Sequence, residues 1–251
     1  MKINNLTTNE NVSIVAQVGC ITVMEHKKDL SVNPAEAMTK YFCSEMNVRR
    51  RQALITLNNS EFVISAGAMQ WTAGSVSMTS NVKGVGDLLG KMISSKVTGE
   101  SAIKPKYQGS GYLMLEPTYK HLLIERVEDW GGGIVVDDGL FLGSEASVRH
   151  AITARSNFSS AVAGGEGLFN LSLEGQGLVL LESSCPRAEL VEIILEGEEV
   201  RIDGNFAIAW SKSLDFRVEK SGKSLLGSAV SGEGLVNVYR GHGKILMMPL
   251  R

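Results

Sequence analysis

Gly175-Gln176-Gly177, running into Leu178-Val179-Leu180-Leu181-Glu182, decides the fold because the chain writes it three times. Gly109-Ser110-Gly111 leads into Tyr112-Leu113-Met114-Leu115-Glu116, and Gly241-His242-Gly243 into Lys244-Ile245-Leu246-Met247-Met248, at steps of 66 residues. A Gly-Glu pair precedes each turn, as Gly99-Glu100-Ser101, Gly165-Glu166-Gly167 and Gly232-Glu233-Gly234. An Asp-Gly turn enters a strand at Asp138-Gly139-Leu140-Phe141 and again at Asp203-Gly204-Asn205-Phe206, with a degenerate copy at Ala66-Gly67-Ala68-Met69. Glycine is common here, so one coincidence means little; three marks in constant order predict an internal repeat.

Between the turns the period is two. Leu214, Phe216 and Val218 alternate with Asp215, Arg217 and Glu219, and Val200 and Ile202 with Glu199, Arg201 and Asp203. Such strands bury one face and wet the other. No single copy can cover its own apolar face, so copies must pack on one another. The expected fold is all-β with two short helices, an internally repeated antiparallel β-sandwich or barrel-like whole. It forms one unit over 1–251 made of about three copies: 14–85 with a helical insertion near 34–46, 97–160, and 163–251 including a partial last copy. The first helix is read from Asn33 as cap, Pro34 in the first turn, and Met38, Tyr41, Phe42 and Met46 on one face. The second is read over Asp87–Ile93, with Leu88, Leu89, Met92 and Ile93 on one side.

Composition fits an ordinary folded chain. The 251 residues are 43% hydrophobic and 21% charged, with 27 glycines against 5 prolines, a signature of many tight turns. A net charge of -2 gives no global positive field for nucleic acid. Cys20, Cys43 and Cys185 are odd in number and widely spaced, without a C-x-x-C pair, and are read as reduced thiols. The first ten residues lack the apolar core of a signal peptide, and no apolar run reaches the roughly 18 residues of a membrane span, so the chain is expected to be cytoplasmic.

Gly67-Ala68-Met69-Gln70-Trp71, Val97-Thr98-Gly99-Glu100-Ser101, Pro105-Lys106-Tyr107-Gln108-Gly109-Ser110-Gly111 and Leu115-Glu116-Pro117-Thr118-Tyr119 resemble the bacterial members of the mitochondrial-biogenesis family named for altered inheritance of mitochondria. The likeness runs over most of the chain after about residue 50. The resemblance implies a fold like that of the tryptophan RNA-binding attenuation protein (TRAP-like), a β-sandwich of double-stranded β-helix type that recurs within the chain. It implies no catalytic residues, and in mitochondria it implies a link to inner-membrane organisation.

Chemical motifs are sparse. Gly84-Val85-Gly86-Asp87-Leu88-Leu89-Gly90-Lys91 fails both the dinucleotide and the P-loop templates, which need Gly at 89, or Gly at 85 with Ser or Thr at 92. His26, His121, His150 and His242 are dispersed, without metal-ligand spacing. No serine lies in a G-x-S-x-G elbow. No catalytic residue, cofactor or metal is therefore expected. The site residues singled out are the repeat-turn glycines Gly109, Gly111, Gly139, Gly175, Gly177, Gly204, Gly241 and Gly243. A speculative nucleic-acid patch is formed by Arg49, Arg50, Arg51, Lys104 and Lys106, provided these converge beside Tyr107 or Trp71. The expected role is a non-enzymatic scaffold or interaction protein that forms homo-oligomers. The alternatives are a module binding a ligand or single-stranded RNA, and a cupin-like metal enzyme.

Overall fold

The computed structural model describes residues 1–79, 104–154, 169–204, 206–220 and 235–250. The Gly-Glu marks and the helix expected over 87–93 lie outside the described residues. Among those described, the chain is mainly β, with one α-helix and two curled antiparallel sheets.

The first sheet has eight strands. β1 (Val12–Val18), β2 (Ile21–His26) and β3 (Arg51–Ile64) follow one another, with α1 (Ala37–Glu45) between β2 and β3. β5 (Lys106–Leu115) lies on β3 and β4 (Met69–Thr79) lies on β5. β8 (Phe141–Glu145), β11 (Leu178–Ser183) and β6 (His121–Arg126) complete the order β1-β2-β3-β8-β11-β6. The second sheet has seven strands: β12 (Val191–Asp203), β15 (Leu235–Met247), β13 (Ala207–Ser211), β7 (Ile134–Val136), β10 (Phe169–Glu174) and β9 (Arg149–Ala154) in that order, with β14 (Asp215–Lys220) on β15.

The run Leu178-Val179-Leu180-Leu181 explains how the two sheets share a core. Leu178 and Leu180 pack with Ile21, Ile55, Phe62 and Leu113, while Val179 and Leu181 pack with Trp130, Ile134, Leu173 and Leu246. β11 is therefore buried on both faces, which is why it reads as a continuous apolar run rather than an alternation. Each such side chain contributes roughly 1.5–3 kcal/mol on burial. A third cluster gathers Trp210, Tyr239 and Ile245, and the rings of Trp210, Tyr239 and Phe216 meet with centroids 5.1–5.4 Å apart.

The expected alternation holds in β12 and β14. Ile202 is buried and Val200, Phe216 and Val218 half-buried, while Glu199, Arg201, Asp203, Asp215 and Arg217 face water. On that wet face Arg240 binds Glu199 and Glu219, and Arg201 lies 3.1 Å from Glu219.

All eight turn glycines singled out from the sequence have positive φ, from +50° at Gly204 to +158° at Gly243. The reason is plainest in β5, where a Cβ on Gly109 or Gly111 would stand 2.0 Å from the carbonyl oxygen of Ser75 or Ala73. The Gly-x-Gly lets that strand fold tightly onto β4.

The helix begins later than its sequence signals. Asn33 takes an amide hydrogen bond from Glu36 at 3.2 Å in the turn before α1, and the N-cap position is Glu36, without a side-chain cap. Met38, Tyr41, Phe42 and Met46 are exposed, so the apolar stripe that defines the helix in sequence does not pack on the core.

Candidate functional site: a cationic cleft beside the second and third strands

The Arg49-Arg50-Arg51 run enters β3, which lies beside β2 with Arg51 opposite Glu25. Arg51 is almost fully buried, its Nη2 2.6 Å from Glu25 Oε2. It also donates to the carbonyl oxygens of Asn47, Arg49 and Tyr119, at 3.1, 3.2 and 3.4 Å. Arg49 Nη1 holds the other oxygen of Glu25 at 2.9 Å. Two of the three arginines thus pin loops around one buried carboxylate, which is structural work.

Arg50 is placed otherwise. Its guanidinium Nε lies 3.3 Å from Asp29 Oδ2 and donates to the Tyr119 hydroxyl at 3.2 Å, with the guanidinium carbon 5.4 Å from the ring centroid. Lys40 of α1 reaches the same phenol, its Nζ donating at 2.6 Å and lying 4.8 Å from the centroid. Two cations on one ring combine hydrogen bonding with cation–π attraction. The hydrogen bonds from Lys40, and then Arg50, pull the Tyr119 phenol below its ordinary pKa, and those same bonds raise both cations. Asp29 is lowered too, first by the Ser31 hydroxyl and less by Arg50.

Beside this cluster opens a cleft of about 340 Å³ whose polar lining includes Asn9, Asn11, His26, Lys28, Asp29, Arg50, Gln52 and Gln70. Its wall is oriented by a chain of bonds. His26 Nε2 meets Gln52 Oε1 at 3.0 Å, and Gln52 Nε2 donates to Gln70 Oε1 at 2.9 Å and to the Leu115 carbonyl at 3.1 Å. A smaller hollow shares His26, Lys28, Asp29 and Arg50 and extends to Lys40 and Tyr119. Fixed amides with Lys28, Arg50 and Lys40 form a surface suited to a polar, negatively charged ligand.

The other two members of the sequence-derived patch lie elsewhere. Lys106 sits opposite Val63, twelve residues along β3 from Arg51, which is about 40 Å of strand at ~3.3 Å per residue. Its Nζ binds Glu61 at 2.9 Å, and Lys104 Nζ lies 4.6 Å from the Phe141 ring centroid. Tyr107 is buried, and Trp71 is half-buried against Met24, Leu54 and Met114. The sequence reading missed Lys40, Asp29, Gln52, Gln70 and Tyr119.

Sequence reading also passed over a serine–histidine contact. Ser144 Oγ lies 2.9 Å from His150 Nε2, but Ser144 on β8 is fully buried between β3 and β11. Burial, with Lys104 nearby, drives the His150 pKa down to about 4. A substrate could not reach that hydroxyl without parting the sheet. Cys20 is pushed up to about 12, by burial first and then by Glu145, which leaves it protonated. Among the described residues no three His, Cys, Asp or Glu side chains gather as a metal site, and no helix is long and apolar enough to cross a membrane.

Residues 46–250 match the family model described as mitochondrial biogenesis AIM24. The chain belongs to this family. The chain is also similar to an uncharacterized protein of Streptococcus pyogenes serotype M6, 30% identical over a 194-residue alignment that covers 74% of this chain and 76% of that protein. A crystal structure of a Streptococcus pyogenes protein has a TM-score of 0.60 at 26% identity, covering 81% of this chain and 89% of its own. The motifs quoted from Gly67 to Tyr119 lie inside the AIM24 span. The cleft straddles its border: Arg50, Gln52, Gln70 and Tyr119 fall within it, while His26, Lys28, Asp29 and Lys40 precede it.

Proposed function

We propose that this AIM24-family protein works by binding rather than catalysis, as a self-associating interaction protein that holds a polyanionic ligand in the cleft between Lys28 and Arg50. The observation that carries this reading is the joint placement of Lys28, Arg50 and Lys40 around fixed amides and one phenol, in a protein of net charge -2. The self-association part is supported by the long strands β4 and β12, which among the described residues pair along one edge only. A TRAP-like, three-copy architecture is supported by Gly-x-Gly turns of the same backbone hand at residues 109, 175 and 241.

Calorimetric titration with pyrophosphate at low salt tests the ligand part. Binding is expected, weakening as salt rises. A Lys28→Gln/Arg50→Gln variant is expected to bind at least about tenfold more weakly, the worth of one charge-assisted hydrogen bond, and Lys106→Gln to bind as the parent does. Absence of heat at millimolar pyrophosphate, or full binding by the double variant, overturns the cleft. An oligouridylate that binds while pyrophosphate does not replaces this reading with single-stranded RNA.

A further inference from the structure

The strand pairing repeats in a frame set by the Gly-x-Gly turns. Met114, Leu180 and Leu246 are each the fifth residue after the first glycine of their turn, and they lie opposite Trp71, Gly143 and Ala209. At all three places the partner strand is bulged by one residue, between Met69 and Trp71, Phe141 and Gly143, and Ala207 and Ala209. Two residues before the first glycine, Tyr107, Leu173 and Tyr239 lie opposite Phe62, Ile134 and Val200. Strands β3, β7 and β12 are thus equivalent at those residues, as are β4, β8 and β13.

Two junctions inside the chain obey one rule. β8 adds to the end of β3 with Phe62 opposite Glu145, Val63 opposite Ser144 and Ile64 opposite Gly143. β13 adds to β7 with Ile134 opposite Ser211, Val135 opposite Trp210 and Val136 opposite Ala209. Each time the second strand of one unit extends the first strand of the unit before it. The middle pairs are packed: Ser144 is 0% exposed, Val135 4% and Trp210 3%, with Val63 half-buried.

Among the described residues the same rule leaves two halves unmatched, one in the first repeat unit and one in the last. In the equivalent positions β4 offers Trp71, Thr72 and Ala73, and β12 offers Val200, Arg201 and Ile202. Among the described residues β4 pairs only with β5 and β12 only with β15, and both central residues, Thr72 and Arg201, are exposed. β4 carries no charge and no proline over its eleven residues, so nothing on that edge discourages another strand.

We propose that copies of this chain join head to tail, β4 of one adding to the end of β12 of the next, with Trp71 opposite Ile202, Thr72 opposite Arg201 and Ala73 opposite Val200. The proposal rests on the reading of the protein as self-associating, and it names the partner as a second copy. The junction between copies then repeats the two junctions within a copy. Because the two edges differ, the contact is heterologous and produces a closed ring or a filament.

Mixing a Thr72→Cys chain with an Arg201→Cys chain under mild oxidation tests the register, since directly opposed strand residues lie within disulfide reach. A 72–201 linked peptide between chains is expected by mass spectrometry, formed faster than links to Cys20, Cys43 or Cys185. In parallel, Thr72→Lys sets a cation against Arg201 and is expected to weaken association at least tenfold by sedimentation, with an unchanged melting temperature because the site is exposed. Association that persists in Thr72→Lys without a 72–201 link overturns the register while leaving self-association intact. A strict monomer at micromolar concentration overturns both. A Thr72→Cys/Arg201→Cys chain that links only to itself overturns the intermolecular junction.

Discussion

Arg50 and Arg51 are neighbours in sequence and occupy opposite electrostatic worlds. Arg51 is sunk beside Glu25, with its guanidinium hydrogens spent on three backbone carbonyls. Arg50 points into a cleft, with its side chain 40% exposed and its charge shared between Asp29 and the Tyr119 ring. At the entry to a strand, adjacent side chains turn to opposite faces, so a run of like charges is divided rather than pooled. A buried ion is held because removing its partner strands a charge, while an exposed one is nearly neutral for folding and free to bind.

The largest effect should come from breaking the buried side of that contrast. Arg51→Ala leaves Glu25 with only Arg49 and unbinds three carbonyls, an expected loss of about 3–5 kcal/mol by urea denaturation. Arg50→Ala is expected to cost less than about 1 kcal/mol. Equal losses from the two substitutions would erase the distinction.

A half-buried ionisable group elsewhere sharpens it through pH. His150 is depressed from 6.5 to about 4 in the folded chain. The unfolded chain therefore takes up a proton between those values that the folded chain refuses, so stability falls as pH drops from 6.5 toward 4 and is fully present above 6.5. The linked loss is on the order of 3 kcal/mol. Carboxylates such as Asp29 and Glu174 are also lowered and lose stability toward acid, so the measurement is the difference between the parent and His150→Gln. The variant should have the shallower slope across that window, and identical slopes would mean that His150 is protonated in the folded protein.

What the sequence made legible is what the backbone demands locally. Gly109 and Gly111 announce themselves because no Cβ fits where they approach β4. The alternation in β12 and β14 is visible because one face is wet. The cleft was hidden because its walls come from Asn9, Asn11, His26, Lys28, Asp29, Arg50, Gln52 and Gln70, which the pairing along β1, β2, β3, β5 and β4 brings together. Tyr119 carries no periodic signal, and Lys40 sits on a helix whose sequence shows an apolar stripe but not that the stripe faces water. Lys104 and Lys106 were grouped with the arginines by sign alone. Charge says nothing about the length of strand that separates them.

Lys106 and Glu61 provide the smallest and cleanest probe of the exposed side. The pair spans β5 and β3 at 2.9 Å, with side chains 38% and 42% exposed, so water competes for both charges. A double-mutant cycle with Lys106→Met and Glu61→Gln should give a coupling of about 0.2–1 kcal/mol at low salt. It should vanish near 1 M salt, where the screening length falls to ~3 Å. A coupling that survives high salt would require the pair to be shielded from solvent.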